Sequence, residues 1–465
     1  MSIKSIDRHN RRVEALNKRN PSELRRAAQD GNLVKVQRLI RDGAIVNNVN
    51  DHWNGEPAIF GAIESQHYQT VVYIINSGAD LNIKGKNGFT IFQALALEGE
   101  MSILLYIFSK TKLIEDYDIW ECNAAGWNPL HFAVFGAHHR AISWLIENRP
   151  EDNNGPIPLT KFLNTPTKSG QTIIHIAGKQ GHKSTITWLC KLEEGKNVIY
   201  INAISKGGDT ALHVSSAEGN VLTTRALIEN GADIWLPNRF GFLPLHLAAS
   251  NSQYNCFVEL MAWHTRQFKS EHTDPRNVIN RTTKQGWTVL MLACREGCIK
   301  IVEKIIPLKP KANEFTNQKR LTALLIAAMD GHAQLAQLLI HELGADVDLQ
   351  NAKGETPLML ACKNGNLRTA TCLLENEASP NLEDVNGNTA LHYASMHGHV
   401  KCIECLSSFG AKIELKNTQG ESAARIAFKM GHVSCIQALS AIHYYDQQQQ
   451  GELHEIENNN HMGQI

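Results

Sequence analysis

Apolar and polar residues along the chain follow a helical period that is broken at short, regular intervals. Stretches such as VKVQRLIRDGA and AQLAQLLIHELGA place apolar residues three and four positions apart, which is the pattern of an amphipathic helix. A second, more apolar stretch precedes each of them, and Gly residues separate the two. Because Gly favours turns and ends helices, the pattern predicts pairs of short helices joined by loops.

The helix pairs are copies of one unit. Twelve copies align in phase at spacings of 35, 33, 38, 44, 38, 33, 45, 34, 34, 33 and 33 residues. One copy cannot bury its apolar face alone, so neighbouring copies must stack. The first aligned residue of each copy is its start position, and these residues are Ser22, Pro57, Thr90, Asn128, Thr172, Thr210, Leu243, Thr288, Thr322, Thr356, Thr389 and Ser422.

Each column of the alignment has a physical reason. Two residues before the start, ten of the twelve copies have Gly, which suits a turn with positive φ. The start is mostly Thr, whose hydroxyl can cap a helix, and Pro follows it in three copies, where it is best tolerated. Ala recurs five residues after the start in ten copies, where a small side chain lets paired helices approach closely.

The start of each copy also carries a motif. The segments NPLHFA (128–133), LPLHLA (243–248), TPLMLA (356–361) and TALHYA (389–394) resemble the T-P-L-H-x-A core of ankyrin repeats. The chain resembles ankyrin-repeat proteins over about nine-tenths of its length. The resemblance implies an all-α ankyrin-repeat solenoid, in which helix-loop-helix repeats joined by hairpin-like loops form a curved, elongated rod over residues 21–440.

Two segments lie outside the repeats, and two insertions interrupt them. Residues 1–20 are expected to form a basic N-terminal segment. Residues 441–465 are acidic and rich in Gln and Asn, and they are expected to be disordered. The two longest spacings place insertions near 148–162 and 265–277, in loops that should project from the same edge of the solenoid.

Charge, apolar runs and cysteine usage restrict the function and the location. Lys and Arg number 46, as do Asp and Glu, which argues against a general nucleic-acid binder, although residues 1–20 keep that as a minor alternative. The start resembles no signal peptide, and no apolar run approaches the roughly 18 residues needed to span a membrane. Ten cysteines without framework spacing indicate free thiols, so we expect a protein of the cytoplasm or nucleus, without membrane insertion.

Histidines and cysteines that could suggest chemistry fall mostly into repeat columns. Five histidines lie three residues after a start and six lie ten residues after one, and the resemblance implies that the first group bridges repeats by hydrogen bonds. His397 lies outside both columns and is expected at an exposed helix end. Cys402 and Cys405 form a CxxC inside a second helix, where inert buried thiols are the expected state.

Residues that the repeat does not explain are the candidates for partner contact. Aromatic residues before the start position are interpreted as hydrophobic staples on the residue five positions later, with interface anchors as the alternative. Trp53 has no staple partner and is a better contact candidate. Basic residues recur on the turn tips, and we select Lys206, Arg239, Lys284 and Arg320 from them, although solvated polar tips are also expected without function.

The resemblance implies a monomeric protein-interaction module, a scaffold, adaptor or inhibitor that binds partner proteins through the concave face of turn tips and first helices. No catalytic motif appears outside the repeat columns, so no enzymatic activity, cofactor or metal is predicted. Two alternatives remain. One is an ankyrin-repeat effector of an intracellular bacterium that acts on proteins in the host cytosol. The other is a metal-binding or enzymatic protein that uses Cys294, Cys298, His397 or an insertion loop.

Overall fold

The computed structural model describes residues 23–48, 56–110, 118–152, 155–192, 198–267 and 274–444. These residues fall into two compact units, one within Met1–Ser215 and Asn220–Asp233, the other within Ser216–Gly219 and Ile234–Ile465. The first unit carries the first six copies of the repeat, and the second unit carries the remaining six.

The first unit is a series of helix pairs with one small hairpin. In its first half the helices are 23–29, Leu33–Arg41, Ala58–Glu64, Tyr68–Asn76, Ile91–Glu98 and Met101–Lys110, with a 3-10 turn at Lys86–Gly88. In its second half they are Pro129–Phe135, His139–Glu147, Leu159–Leu163, Ile173–Gln180, Lys183–Lys191, Ala211–Glu218, whose last three residues belong to the second unit, and Val221–Glu229.

The second unit repeats the same pairing. In its first half the helices are Pro244–Ser250, Tyr254–Gln267, Pro275–Ile279, Val289–Arg295 and Ile299–Ile305, the last continuing into a 3-10 turn at Ile306–Leu308. In its second half they are Ala323–Asp330, Ala333–Leu343, Pro357–Lys363, Leu367–Glu375, Ala390–Met396, Val400–Ser408, Ala423–Lys429 and 433–444.

Helices stack in two rows within each unit. In the second unit, each first helix from Pro244–Ser250 to Ala423–Lys429 contacts the first helix of the next repeat, and the second helices form a parallel row beside them. The prediction of an all-α solenoid is therefore confirmed. The described strands, Glu151–Asp152 and Gly155–Pro156, form an antiparallel pair inside the insertion predicted near 148–162.

The helix ends follow the predicted capping chemistry. The hydroxyls of Thr90, Thr288, Thr322 and Thr356 each accept a hydrogen bond from the backbone N–H three residues later, at 3.2–3.3 Å. Each bond satisfies one of the donors that the first turn of a helix leaves unpaired. The predicted cap at the start position is confirmed in these repeats.

Small residues set the distance between stacked repeats. Ala177 and Ala327, five residues after their starts, are fully buried. Six residues after the start, nine of the twelve copies have Ala, Gly, Ser or Cys. A Cβ on Gly178 at this position would lie 3.0 Å from the carbonyl oxygen of Ala211 in the next repeat. The first helices therefore pack closely there, which explains the preference for small residues in these columns.

Candidate interaction surface on the turn tips

The turns between repeats hydrogen bond to one another and form a continuous series in the second unit, which we call the tip ladder. Its members are the turn residues shortly before the start of each repeat in that unit, namely Arg239–Phe240, Lys284–Gln285, Asn317–Arg320, Ala352–Lys353, Val385–Asn386 and Thr418–Gln419. The backbone N–H of each tip donates to a carbonyl of the tip before it at 2.9–3.1 Å, in the pairs Lys284–Phe240, Asn317–Gln285, Ala352–Lys319, Val385–Lys353 and Thr418–Asn386.

Each tip is also fixed internally by an Asn, Asp or Thr side chain. The Oδ1 atom of Asp384 accepts hydrogen bonds from the backbone N–H groups of Asn386 and Asn388, at 2.8 and 2.7 Å. Asn351 makes the same two bonds to Lys353 and Glu355. The exposed side chains of the tips are therefore carried on an ordered backbone. This order lowers the conformational entropy that is lost when a partner binds.

The structure places four of the five predicted contact residues on turn tips. Arg239, Lys284 and Arg320 lie exposed on the tip ladder of the second unit, whereas Lys206 lies on a tip of the first unit. Lys206 donates its backbone N–H to the carbonyl of Ser169 on the preceding tip, at 2.9 Å. The predicted contact Trp53 lies outside the described residues.

Arg320 has an unusual backbone. It occupies the position two residues before the start, where most repeats have Gly, and it adopts the left-handed conformation with φ of 49°. Its guanidinium carbon lies 4.4 Å from the centre of the Phe315 ring. A non-Gly residue in this conformation costs roughly 1 kcal/mol, and such residues concentrate at functional sites.

Charge along the tip ladder is unbalanced. The tips of the seventh to tenth repeats carry Arg239, Lys284, Lys319, Arg320 and Lys353, all exposed and none in an ion pair with a residue of the described chain. No carboxylate occupies these tips. The next two tips, Val385–Asn386 and Thr418–Gln419, are uncharged, so within the second unit the positive tip charge is confined to four consecutive repeats.

Apolar side chains accompany the positive charge. Phe240 is 58% exposed at one end of the basic tips, and Val385 is 67% exposed beyond the other end. Large exposed apolar side chains on ordered turns are typical of contact surfaces. The tip ladder therefore presents a basic stretch with an apolar residue at each end.

A second row of contacts joins the tips to the first helices. The residue directly before the start position contacts the residue seven positions after the start, on the last turn of the first helix. Glu355 accepts a hydrogen bond from Lys363 at 2.8 Å, and Glu421 accepts one from Lys429. Arg295 lies 5.3 Å from the ring centre of Trp287. We call these contacts the tip–helix pairs.

The tip–helix pairs revise the interpretation of the aromatic residues. Trp127 does pack on Phe132, five residues later, with ring centres 5.1 Å apart, but it also contacts Phe135 at 5.9 Å. Phe89 contacts Phe132 of the following repeat at 4.8 Å. The staple is therefore present at Trp127. The spacing of eight residues between Glu and Lys in two repeats was the available sequence signal for the pairs, and it was missed.

A cavity of about 420 Å³ opens where two tip–helix pairs lie side by side, in the ninth and tenth repeats of the second unit. Leu321, Met329 and Leu360 form its apolar part. Lysines from two tips and from one first helix stand around it, and its full lining is Gln318, Lys319, Leu321, Met329, Asn351, Ala352, Lys353, Glu355, Leu360, Lys363 and Asn364.

The first histidine column links each repeat to the next one. The Nδ1 atom of His131 accepts a hydrogen bond from the backbone N–H of Asn128, so Nε2 carries the proton and donates to the carbonyl of Thr165 at 3.1 Å. His175 and His392 repeat this arrangement. Burial lowers the pKa of His131 to about 4, which keeps the ring neutral.

The second histidine column links each repeat to the preceding one. The Nε2 atoms of six rings donate to carbonyls of the repeat before at 2.7–3.3 Å, and these are His67, His138, His182, His332, His399 and His432. Asn366 replaces the ring in the tenth repeat and donates to Ala328 and Met329. The histidines of the two columns therefore act as structural bridges between neighbouring repeats wherever the structure describes their hydrogen bonds.

The residues of the metal alternative have different surroundings. Cys294 is fully buried, and burial raises the pKa of its thiol far above the usual range. His397 lies exposed at a helix end and stacks on His399, and burial together with the neighbouring His399 lowers its pKa. In the described ranges no group of three His, Cys, Asp or Glu side chains could hold a metal ion. All ten cysteines are free.

None of the helices within the described residues is both long enough and apolar enough to cross a membrane.

Known proteins share the repeat. The 24% identical E3 ubiquitin-protein ligase XBAT33 of Arabidopsis thaliana aligns over 37% of this chain and 36% of its own length. A probable 26S proteasome regulatory subunit, p28 of Saccharomyces cerevisiae, is 27% identical over 38% of this chain and 69% of its own. The human ASB11 ankyrin repeat domain superposes on 50% of this chain and 98% of its own, with 25% identity and a TM-score of 0.44.

The match to a family model is broader. The model described as ankyrin repeats in three copies matches residues 109–198, 159–238, 236–313, 290–384 and 369–450, which together cover most of the chain. These matches agree with the stacked helix pairs, the histidine columns and the bonded tips. The chain belongs to the ankyrin-repeat family.

Proposed function

We propose that the protein is a non-enzymatic scaffold, adaptor or inhibitor that binds a partner protein through the tip ladder and first helices of its second unit. Ankyrin repeats are protein–protein interaction modules, and the comparisons indicate no more specific role. The observation that carries the proposal is the run of basic side chains on four bonded tips that form no ion pair within the described part of the chain. An ordered backbone with unneutralised charge is a surface prepared for a partner.

The charge indicates the chemistry of the partner. Arg239, Lys284 and Arg320 are exposed and form no ion pair with another described residue, so an acidic protein segment would complement them. Such charges mainly accelerate association and select the partner, and salt screens them over about 8–10 Å. Apolar contacts at Phe240 and Val385 would supply affinity that salt does not remove.

The remaining predicted features belong to the same proposal. Lys206 and Trp53 stay secondary contact candidates from the sequence, and the division into residues 1–20, 21–440 and 441–465 is kept. The free cysteines suit a reducing compartment, which supports a location in the cytoplasm or nucleus, and the monomeric state stays an expectation.

The proposal is tested by reversing charge on the tips. The full chain with Arg239→Glu, Lys284→Glu and Arg320→Glu is compared with wild type by affinity capture and mass spectrometry. The matched control is Lys300→Glu, Arg368→Glu and Lys401→Glu, an equal change of charge at exposed positions on second helices of the same unit.

The expected result is loss of the captured partners in the tip variant and their retention in the control. Recovery of the same partners in equal amounts from the tip variant would overturn the proposal. Loss in both variants would overturn it as well, because it would show that net charge and not the tip ladder governs capture.

A further inference from the structure

We infer that the cavity between the ninth and tenth repeats is a specificity pocket for a carboxylate-bearing side chain, with its apolar neighbour, of an acidic partner segment. The inference rests on the proposed function, because it names a docking point within the same surface. It further assigns the selection of the partner to the ninth and tenth repeats and identifies an acidic side chain beside an apolar one as the group that they select.

The pocket is built from four pieces of two adjacent repeats. Gln318 and Lys319 come from one tip, and Ala352 and Lys353 come from the next. The two tips are held together by the hydrogen bond from the backbone N–H of Ala352 to the carbonyl of Lys319, at 3.1 Å. The opening is therefore preformed, and its volume of about 420 Å³ lies within the range of ligand sites.

The wall of the pocket is apolar. Leu321 directly follows the first tip, Met329 lies in the last turn of the first helix of the ninth repeat, and Leu360 lies in the first helix of the tenth. Water forms few hydrogen bonds with such a wall, whereas burial of an aliphatic group against it lowers the free energy by removing apolar surface from solvent. The wall therefore favours an apolar side chain or an aliphatic stem.

The charge at the pocket is positive and held in place. Lys363 donates to Glu355 at 2.8 Å, and its ammonium lies 5.1 Å from the centre of the Tyr393 ring. The backbone carbonyl of Lys363 accepts a hydrogen bond from the ring of His399 at 3.2 Å. The lysine is thus oriented by a carboxylate, an aromatic face and a neighbouring repeat, while Lys319 and Lys353 remain exposed.

The buried carboxylate does not cancel this charge. Burial alone would raise the pKa of Glu355, but hydrogen bonds from Lys363 and Asn351 outweigh it and lower the pKa. Glu355 is therefore ionised and neutralises one lysine of three. The remaining excess of two positive charges stands beside an apolar wall, which suits a carboxylate next to an apolar group.

The two repeats that follow lack this combination. In the eleventh repeat, Met396 occupies the position of Met329, but the tip before it carries Val385 and Asn386 in place of lysines. The twelfth repeat keeps a Glu421–Lys429 pair, and its tip is Thr418–Gln419. Met396 is half-buried, as Met329 is, and it provides a matched control at the same position of the repeat.

The test uses a displayed library of random twelve-residue peptides selected on the full chain. Enriched peptides are synthesised with a fluorophore, and their affinity is measured by fluorescence anisotropy. We expect the enriched peptides to carry Glu or Asp next to an apolar residue. We expect Lys353→Glu and Met329→Glu to weaken their binding about tenfold or more, and Met396→Glu to change it less than about twofold.

A charge exchange makes the test specific. Replacement of the selected carboxylate in the peptide by Lys should weaken binding to wild type and restore part of it with Lys353→Glu. Lys353 is exposed, so this variant keeps the test valid if thermal melting shows that Met329→Glu is unfolded.

The outcomes separate the pocket from the surface. Failure to enrich acidic peptides overturns the inference, as does binding that survives Lys353→Glu or falls equally with Met396→Glu. Peptides that lose affinity only in the Arg239, Lys284 and Arg320 charge-reversal variant would overturn the pocket and support the tip ladder. Peptides insensitive to all these variants would overturn both.

Discussion

The Nε2 atom of His392 donates to the backbone carbonyl of Glu421, 29 residues along the chain, at 3.1 Å. The Nδ1 atom of the same ring accepts the backbone N–H of Thr389 at the start of its own helix. One neutral imidazole thus caps a helix and fastens the next repeat. In the third repeat Gln93 makes the equivalent bonds with an amide, to Thr90 and to Glu121.

The exchange of these side chains gives the first prediction. His392→Ala should lower the free energy of unfolding by about 2–3 kcal/mol, because it leaves buried partners unsatisfied. His392→Gln should lose about half of that or less, because an amide can make both bonds in this column. Urea denaturation followed by circular dichroism measures both, and equal losses would contradict the bridging role.

The second prediction concerns pH. Burial lowers the pKa of His131 from 6.5 to about 4, so between these values the unfolded chain binds a proton that the folded chain refuses. Stability therefore falls as the pH is lowered from about 6.5 to about 4, by at most about 1.4 kcal/mol per pH unit for this group. Stability does not depend on this group above or below that window.

The control for the pH prediction is His131→Gln. Urea midpoints of the variant and of wild type are compared between pH 7 and pH 4. The difference between them should shrink as the pH falls, because the variant has no ring to protonate. A constant difference across the window would show that His131 does not titrate as its burial implies.

The third prediction concerns the left-handed conformation of Arg320. Arg320→Gly and Arg320→Ala both remove the charge and the contact with Phe315. The Gly variant should be more stable than the Ala variant by about 1 kcal/mol, because only Gly adopts this backbone without strain. Thermal melting of the two purified proteins measures the difference, and a more stable Ala variant would argue against the turn geometry.

The fourth prediction concerns the end of the stack. Ala328 lies six residues after its start and is fully buried against the next repeat, whereas Phe428 holds the same position in the last repeat and is 75% exposed. Ala328→Phe should cost about 2 kcal/mol or more by overpacking. Phe428→Ala should change stability by less than about 0.5 kcal/mol.

Differential scanning calorimetry distinguishes these two substitutions. A large loss with Phe428→Ala would mean that another part of the chain packs on Phe428 in solution. Tolerance of Ala328→Phe would contradict the close approach of the stacked helices.

The fifth prediction concerns thiols. Cys294 and Cys402 are buried, whereas Cys122 is exposed. Alkylation of the native protein followed by peptide mass spectrometry should label Cys122 and spare the other two until urea is added. Rapid labelling of Cys294 would contradict its burial and would favour the metal site that the sequence left open.

The sequence predicted much of this fold because its signals are local. Helix periodicity, the Thr caps and the Gly turns act over a few residues, so they can be read without a structure. Repetition then fixed the register, since twelve copies must stack alike. The tip positions of Arg239, Lys284 and Arg320 followed from that register.

Contacts between individual side chains, within one copy and between copies, were decided by the tertiary structure. The spacing of the start positions could not show that Lys363 meets Glu355 and the ring of Tyr393, or that the guanidinium of Arg320 covers Phe315. Nor could it show a cavity at one pair of repeats. Such contacts join residues that the column pattern treats as independent, and they depend on how closely small residues let the repeats stack. The sequence by itself determined which residues lie on the turn tips. The packing of side chains decided which pair of repeats carries the cavity.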